Sequence, residues 1–154
     1  MDSDSNASPN PSSAKEGEAV KQAAVKNPYE GSETILVVED HDSIRQMMVR
    51  SLEKQGYKVL SAVNGVDAIQ VFQSCSEPIH LLLTDVVMPQ MDGVQLAEKL
   101  AELSPGMKVL FISGYTDDWN RYFNPSHGNK QLFQKPFSIP EFLAEIRKRL
   151  DRDD

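Results

Sequence analysis

From Thr34 onward the chain repeats one pattern: a short apolar run, then a stretch whose apolar residues recur at helical spacing. Thr34-Ile-Leu-Val-Val38, Lys58-Val-Leu-Ser-Ala62, His80-Leu-Leu-Leu-Thr84, Lys108-Val-Leu-Phe-Ile112 and Gln131-Leu-Phe-Gln134 read as strands. Ile44, Met47, Met48 and Leu52 make the first helical stripe, which Gly56 stops. Asn64 is placed to cap a helix burying Val66, Ile69 and Phe72. Val94, Ala97, Leu100 and Ala101 mark a third helix closing at Ser104-Pro105-Gly106, and a less regular stretch runs from about Thr116 to Lys130. In the last helix Ser138 and Glu141 have capping-box spacing, and Ile139, Phe142, Leu143, Ile146 and Leu150 share a face. Arg147, Lys148 and Arg149 follow, where the helix dipole favours cations. Five strands alternating with five helical segments imply an α/β fold, a parallel sheet covered on both faces. Ligands of such sheets bind outside the carboxyl ends of the strands, where the strand order reverses.

Those ends carry chemistry. Glu39, Asp40 and Asp42 follow the first strand, Asp85 the third, Ser113-Gly114 the fourth and Lys135-Pro136 the fifth. Singly, each has an ordinary reading: Asp40 or Asp42 as a helix cap, Ser113 as a turn residue, Lys135 as a solvated cation. Together they bring carboxylates, a hydroxyl and an ammonium to one edge. Clustered carboxylates repel unless a cation neutralises them, and hard oxygen ligands suit Mg2+. A carboxylate beside Mg2+ and an ammonium can attack a phosphoryl group, because both cations offset charge on its oxygens. The arrangement predicts an acyl phosphate on an aspartate.

Composition narrows the alternatives. The 154 residues suit one domain with a tail, and we place a disordered or loosely helical tail at 1–33 and the domain at 34–151. The tail holds three units of the net charge of −7, and no basic stripe suggests nucleic acid. The single Cys75 excludes an internal disulfide and fits a reducing compartment. No apolar run has the length of a membrane span, so a cytoplasmic segment without membrane contact is expected. Glu39-Asp-His-Asp42 is an anion-repelling turn, the opposite of the glycine loop that cradles a nucleotide. His41, His80 and His127 show no metal spacing, and His80 reads as structural.

Residues 34–150 resemble the receiver domain of two-component response regulators. The resemblance rests on Ile35-Leu-Val-Val-Glu-Asp40, Leu83-Thr-Asp-Val-Val-Met-Pro-Gln-Met-Asp-Gly93, Phe111-Ile-Ser-Gly-Tyr-Thr116 and Gln134-Lys-Pro-Phe137. Within the family the chain is most similar to the C-terminal receiver of hybrid sensor histidine kinases, through Gly31-Ser-Glu-Thr-Ile-Leu36, Ser113-Gly-Tyr-Thr-Asp-Asp118 and Gln134-Lys-Pro-Phe-Ser138. It implies a flavodoxin-like doubly wound sheet of order 2-1-3-4-5, with Asp85 accepting phosphate from a histidine kinase or a histidine phosphotransfer domain. Mg2+ would be bound by Asp40, by Asp85, by the Val87 backbone carbonyl and, through a water, by Glu39. Ser113 and the Gly114 N–H would contact the phosphoryl group, and Lys135 would pair with Asp85 and then with phosphate. A cis peptide at Lys135-Pro136 is implied as well. Such a domain is no enzyme in the usual sense, since it catalyses only its own phosphorylation and dephosphorylation.

The chain departs from the family in two places. Glu39 stands where Asp is commoner, and its longer arm still reaches the metal's water shell. Leu132 stands where an aromatic residue commonly serves as a switch, and strand alternation points Phe133 to the other face. Val87 and Tyr115 offer no strong base to a water, so a long-lived phosphoaspartate is expected. Val87 also excludes a dehalogenase-type phosphatase, which needs an acid there. The rival reading is a pseudo-receiver, an interaction module independent of phosphorylation. With four residues after Leu150, no effector domain is expected to follow, and output is expected through contacts. Trp119-Asn-Arg-Tyr-Phe123 either packs on the sheet or, with the last helix, forms a partner or dimer surface. Pro125-Ser-His-Gly-Asn129 reads as a mobile loop. A stand-alone regulator and a piece of a hybrid kinase fit equally.

Overall fold

Runs that are apolar without alternation have to be covered on both sides, and these runs form the middle of the sheet. The computed structural model describes residues 27–114 and 131–152. Readings that fall on residues 1–26, on Trp119–Phe123 and on Pro125–Asn129 lie outside the described residues. The elements are β1 (Thr34–Val38), α1 (Asp42–Lys54), β2 (Lys58–Ala62), α2 (Gly65–Ser74), β3 (Leu81–Asp85), α3 (Gly93–Leu103), β4 (Lys108–Ser113), β5 (Gln131–Gln134) and α4 (Ile139–Leu150). The five strands are parallel, in the order β2-β1-β3-β4-β5. This is the expected 2-1-3-4-5 arrangement. Every residue of β1 and β3 is buried, whereas β2, at an edge, is mostly half-buried or exposed.

Strand alternation sorts the core into two layers. Leu36, Val38, Leu82 and Phe111 pack under α2 and α3 with Ala68, Val94, Ala97 and Leu100. Ile35, Val37, Leu83 and Ile112 pack under α1 and α4 with Met48, Leu52, Phe142 and Ile146. Leu132 joins the first layer and Phe133 the second, so the two neighbours do lie on opposite faces.

Several helix faces differ from the sequence reading. The Asn64 side chain accepts from the Asp67 N–H at 2.8 Å, so α2 begins at Gly65. Its inward face is therefore Gly65, Ala68, Ile69 and Phe72, and Val66, a third of a turn away, is 48% exposed. In α3, Asp92 and Gln95 form a capping box, and Leu96 is buried in place of the exposed Ala101. The Ser138–Glu141 capping box of α4 is present, but Ile139 in its first turn is largely exposed. Arg149 is not a solvated cation: it is buried, and its Nε donates to the Val109 carbonyl at 3.1 Å. His80 precedes β3, where its Nδ1 accepts from the Thr34 N–H at 3.0 Å, a structural role as expected.

The residues before β1 are tied to the last helix. Arg147 donates to both Glu33 carboxylate oxygens at 3.1 and 2.6 Å, to the Glu30 carbonyl at 3.2 Å and to the Tyr57 hydroxyl at 3.0 Å. The side-chain bond from Glu33, then that from Asp151, raises the Arg147 pKa further above its already high value. The start of β1 and the end of α4 are thereby clamped together.

Candidate functional site

Parallel register collects the carboxyl ends of the strands along one edge. Val38 pairs with Ala62 and Thr84, Asp85 with Ile112, and Ser113 with Gln134. The residues just beyond then surround one open cleft of about 750 Å3, lined by Asp40, His41, Asp85, Val87, Ser113, Gly114 and Lys135. Lys135 Nζ lies 3.1 Å from Asp85 Oδ1 and 3.3 Å from Glu39 Oε1. The Lys135 backbone N–H donates to the Ser113 carbonyl at 2.8 Å, which carries the β4–β5 ladder up to the lysine. Lys135-Pro136 is cis, as the resemblance implied.

Neither Asp40 nor Asp42 caps α1. The N-cap residue is His41, without a side-chain cap bond, and Asp42 pairs with Arg45 instead. The His41 N–H donates to Glu39 Oε2 at 3.0 Å, and its ring Nδ1 lies 3.3 Å from that oxygen and 3.5 Å from Asp40 Oδ1. The spacing of histidines along the chain gave no hint of this juxtaposition. The only signal was an imidazole directly after two strand-end acids.

Burial decides the electrostatics. Glu39 is fully buried and Asp85 is 6% exposed. Burial first, then the hydrogen bond and charge of Glu39, push the Asp85 carboxyl up to about 8 against the pull of Lys135. Burial also works to raise Glu39, but its bonds to Asp85, to the His41 N–H and to Lys135 outweigh that and hold it below the usual carboxylate range. Burial opposes the Lys135 charge, and the two carboxylates more than offset this, keeping its pKa high. Two buried carboxylates thus face one ammonium, and a proton on Asp85 makes up the balance. A hard dication beside the partly exposed Asp40 carboxylate fits that donor set and would take the proton's place.

Gly93 is a positional requirement that the motif contained but the sequence reading did not explain. Its N–H donates to the Val86 carbonyl at 2.7 Å, and a Cβ there would lie 2.0 Å from the Asp85 carbonyl oxygen. Backbone would have to move, and Asp85 with it. Gly93→Ala is expected to cost about 1–3 kcal/mol in urea unfolding, the range for forcing a methyl into a packed site. A loss below ~0.5 kcal/mol would show that the close approach relaxes freely.

Fold and cleft together define a flavodoxin-like α/β domain with a buried aspartate paired to a half-buried lysine beside an acid pair. Comparison with known proteins identifies its kind. The response regulator receiver domain pattern matches residues 35–147. The chain is 38% identical over 116 residues to the response regulator receiver protein CpdR of Brucella abortus (strain 2308), a match covering 75% of this chain and 95% of CpdR. It is 35% identical over 124 residues to the sensor kinase CckA of the same strain, covering 80% of this chain and 13% of CckA. Among solved structures, the receiver domain of the hybrid histidine kinase CckA superposes with a TM-score of 0.65 at 31% identity, covering 77% of this chain and 99% of that one. The chain belongs to the response regulator receiver family of two-component systems. Among the described residues no helix is long and apolar enough to cross a membrane.

Proposed function

We propose that Asp85 accepts a phosphoryl group from a phosphohistidine, on a histidine kinase or a histidine phosphotransfer domain, in a Mg2+-dependent reaction. The observation that carries this reading is the pairing of buried Asp85 with half-buried Lys135 at 3.1 Å, at the cleft beside Glu39 and Asp40. An ionised Asp85 oxygen attacks phosphorus, the P–N bond breaks, and its electron pair returns to the imidazole nitrogen of the donor, which takes up a proton from solvent to leave neutral imidazole. Lys135 Nζ shifts from sharing two carboxylates to the new phosphoryl oxygens, whose charge it offsets. The Ser113 hydroxyl and the Gly114 N–H donate to the same group. Asp40, Asp85 and the Val87 carbonyl, with Glu39 through a water, would hold Mg2+, which would supply the charge that lets an anionic carboxylate approach an anionic phosphoryl group.

Losing its bond to Lys135 and gaining phosphoryl charge, Asp85 changes the forces on the strand ends, and signalling proceeds by that rearrangement. The domain catalyses only its own phosphorylation and dephosphorylation. The free thiol of Cys75 fits the reducing cytoplasm, where phosphohistidine donors operate. The similarity to CpdR suits a stand-alone regulator, and that to CckA a receiver joined to a hybrid kinase. Incubation with a small phosphodonor and Mg2+ is expected to add one phosphoryl group, mapped to the peptide containing Asp85. Intact, folded protein that takes no adduct would identify the chain as a phosphorylation-independent interaction module.

A further inference from the structure

Lys135 has to hold its ammonium against the acid pair from the end of a short edge strand. Among the described residues, the last backbone bond of the β4–β5 ladder is that from Lys135 N–H to the Ser113 carbonyl. A second restraint lies on the other side of the lysine. The rings of Phe133 and Phe137 are in contact, with centroids 4.8 Å apart and planes tilted by 31°. In an extended strand residues four places apart are separated by roughly 13 Å, so this contact closes an arch over Gln134-Lys135-Pro136. Phe137 in turn stacks on Phe142 of α4, at 5.4 Å and 17°. Phe142 is fully buried in the layer beneath α1 and α4, so the clasp is anchored in the core.

Alternation places Phe133 and Lys135 on the same side of the sheet, the side on which Glu39 and Asp85 continue the parity of Val37 and Leu83. The lysine therefore leaves the segment that the two rings close on the side of the acid pair, and its ammonium reaches both carboxylates. Only 24% of its side chain is exposed. We propose that Phe137 is a positioning residue: stacked between Phe133 and Phe142, it fixes the arch that aims Lys135 at Asp85. The same stack makes the seat of α4 and the position of the lysine parts of one packed unit. This inference rests on the phosphoacceptor reading for its consequence, but not for its geometry.

Phe137→Leu keeps apolar volume and removes the ring faces, so the fold is retained and the aim of the lysine is lost. One measurement is independent of phosphoryl transfer. With an amine-reactive reagent mapped by mass spectrometry, Lys135 is expected to label about fivefold faster in Phe137→Leu, while the exposed Lys58 labels at an unchanged rate. The second measurement is the phosphorylation rate. At saturating small phosphodonor it falls about tenfold in Phe137→Leu, whereas half-saturation by donor and the Mg2+ dissociation constant stay within about twofold. In a Lys135→Met background the same substitution is expected to change the residual rate less than twofold, because its effect passes through the lysine. Unchanged Lys135 labelling overturns the proposal, as does an undiminished tenfold loss in the Lys135→Met background. If wild-type protein takes no phosphoryl group the phosphoacceptor reading fails, and the labelling result still decides the role of Phe137.

Discussion

Asp85→Asn is expected to abolish phosphoryl acceptance and, at the same time, to flatten the pH dependence of stability. The first effect follows from chemistry: a carboxamide offers no nucleophilic oxygen anion, and the neighbouring acid on Lys135, Glu39, is fully buried and does not line the cleft. The second follows from burial. In the unfolded chain Asp85 ionises near 3.8, and in the folded protein at about 8. Between those values the folded state holds a proton that the unfolded state has released, so stability falls as pH rises through that window. The contribution of Asp85 is fully present below pH 4 and lost by pH 8. At 1.36 kcal/mol per unit, discounted for its coupling to Glu39, the wild type should lose about 2–4 kcal/mol relative to Asp85→Asn across that range, in the absence of divalent cations. Urea titrations at intervals from acid to mildly alkaline pH read this directly. Parallel curves for the two proteins would mean that Asp85 carries no buried proton. Added Mg2+ should restore the wild type at alkaline pH and leave Asp85→Asn nearly unchanged, since binding to the folded state alone stabilises it.

Lys135→Met carries the next largest effect. The variant keeps most of the stem and removes the charge, leaving Glu39 and Asp85 face to face without a cation. Loss of a preorganised donor to the transferring phosphoryl group is worth about 100- to 1000-fold in rate, so acceptance from a small phosphodonor should fall by that factor. Stability should fall too, by about 1–3 kcal/mol near neutral pH, below the full cost of stranding a buried charge because Asp85 can keep its proton. Relief by lowering the pH distinguishes this origin: acid protonates the stranded pair, and the stability gap to wild type closes. A gap that stays constant down to pH 5 would mean that the lysine acts by packing alone. A rate within about threefold of wild type would remove Lys135 from the phosphoryl site.

Much of this architecture is legible in the chain because the determinants are local. The apolar runs of β1, β2 and β5 coincide with the strands, and Asn64 and Ser138 cap the helices they precede. Parallel topology then does the long-range work, since it gathers strand ends without regard to their separation in sequence. The faces of helices are less legible. Val66, Ala101 and Ile139 belong to apolar stripes by spacing but are exposed, because apolar spacing marks a stripe without saying how much of its width the sheet covers. Quantities set by three-dimensional approach were hidden altogether. The full burial of Glu39 and the close backbone approach that only Gly93 permits belong to this group. So does the Arg147–Glu33 bond, which spans 114 positions.

That last bond has a consequence for how the domain is used. Strands of one direction place the Asp85 cleft at their carboxyl edge, and the Arg147 clamp holds the chain entering β1 against the chain leaving α4 at the opposite edge. Entry and exit therefore share one doorway, on the far side from the chemistry. A module wired in this way can be spliced onto other polypeptides, or cut free of them, with its two joints kept away from the Asp85 cleft. Its portability is a property of the clamp as much as of the active carboxylate.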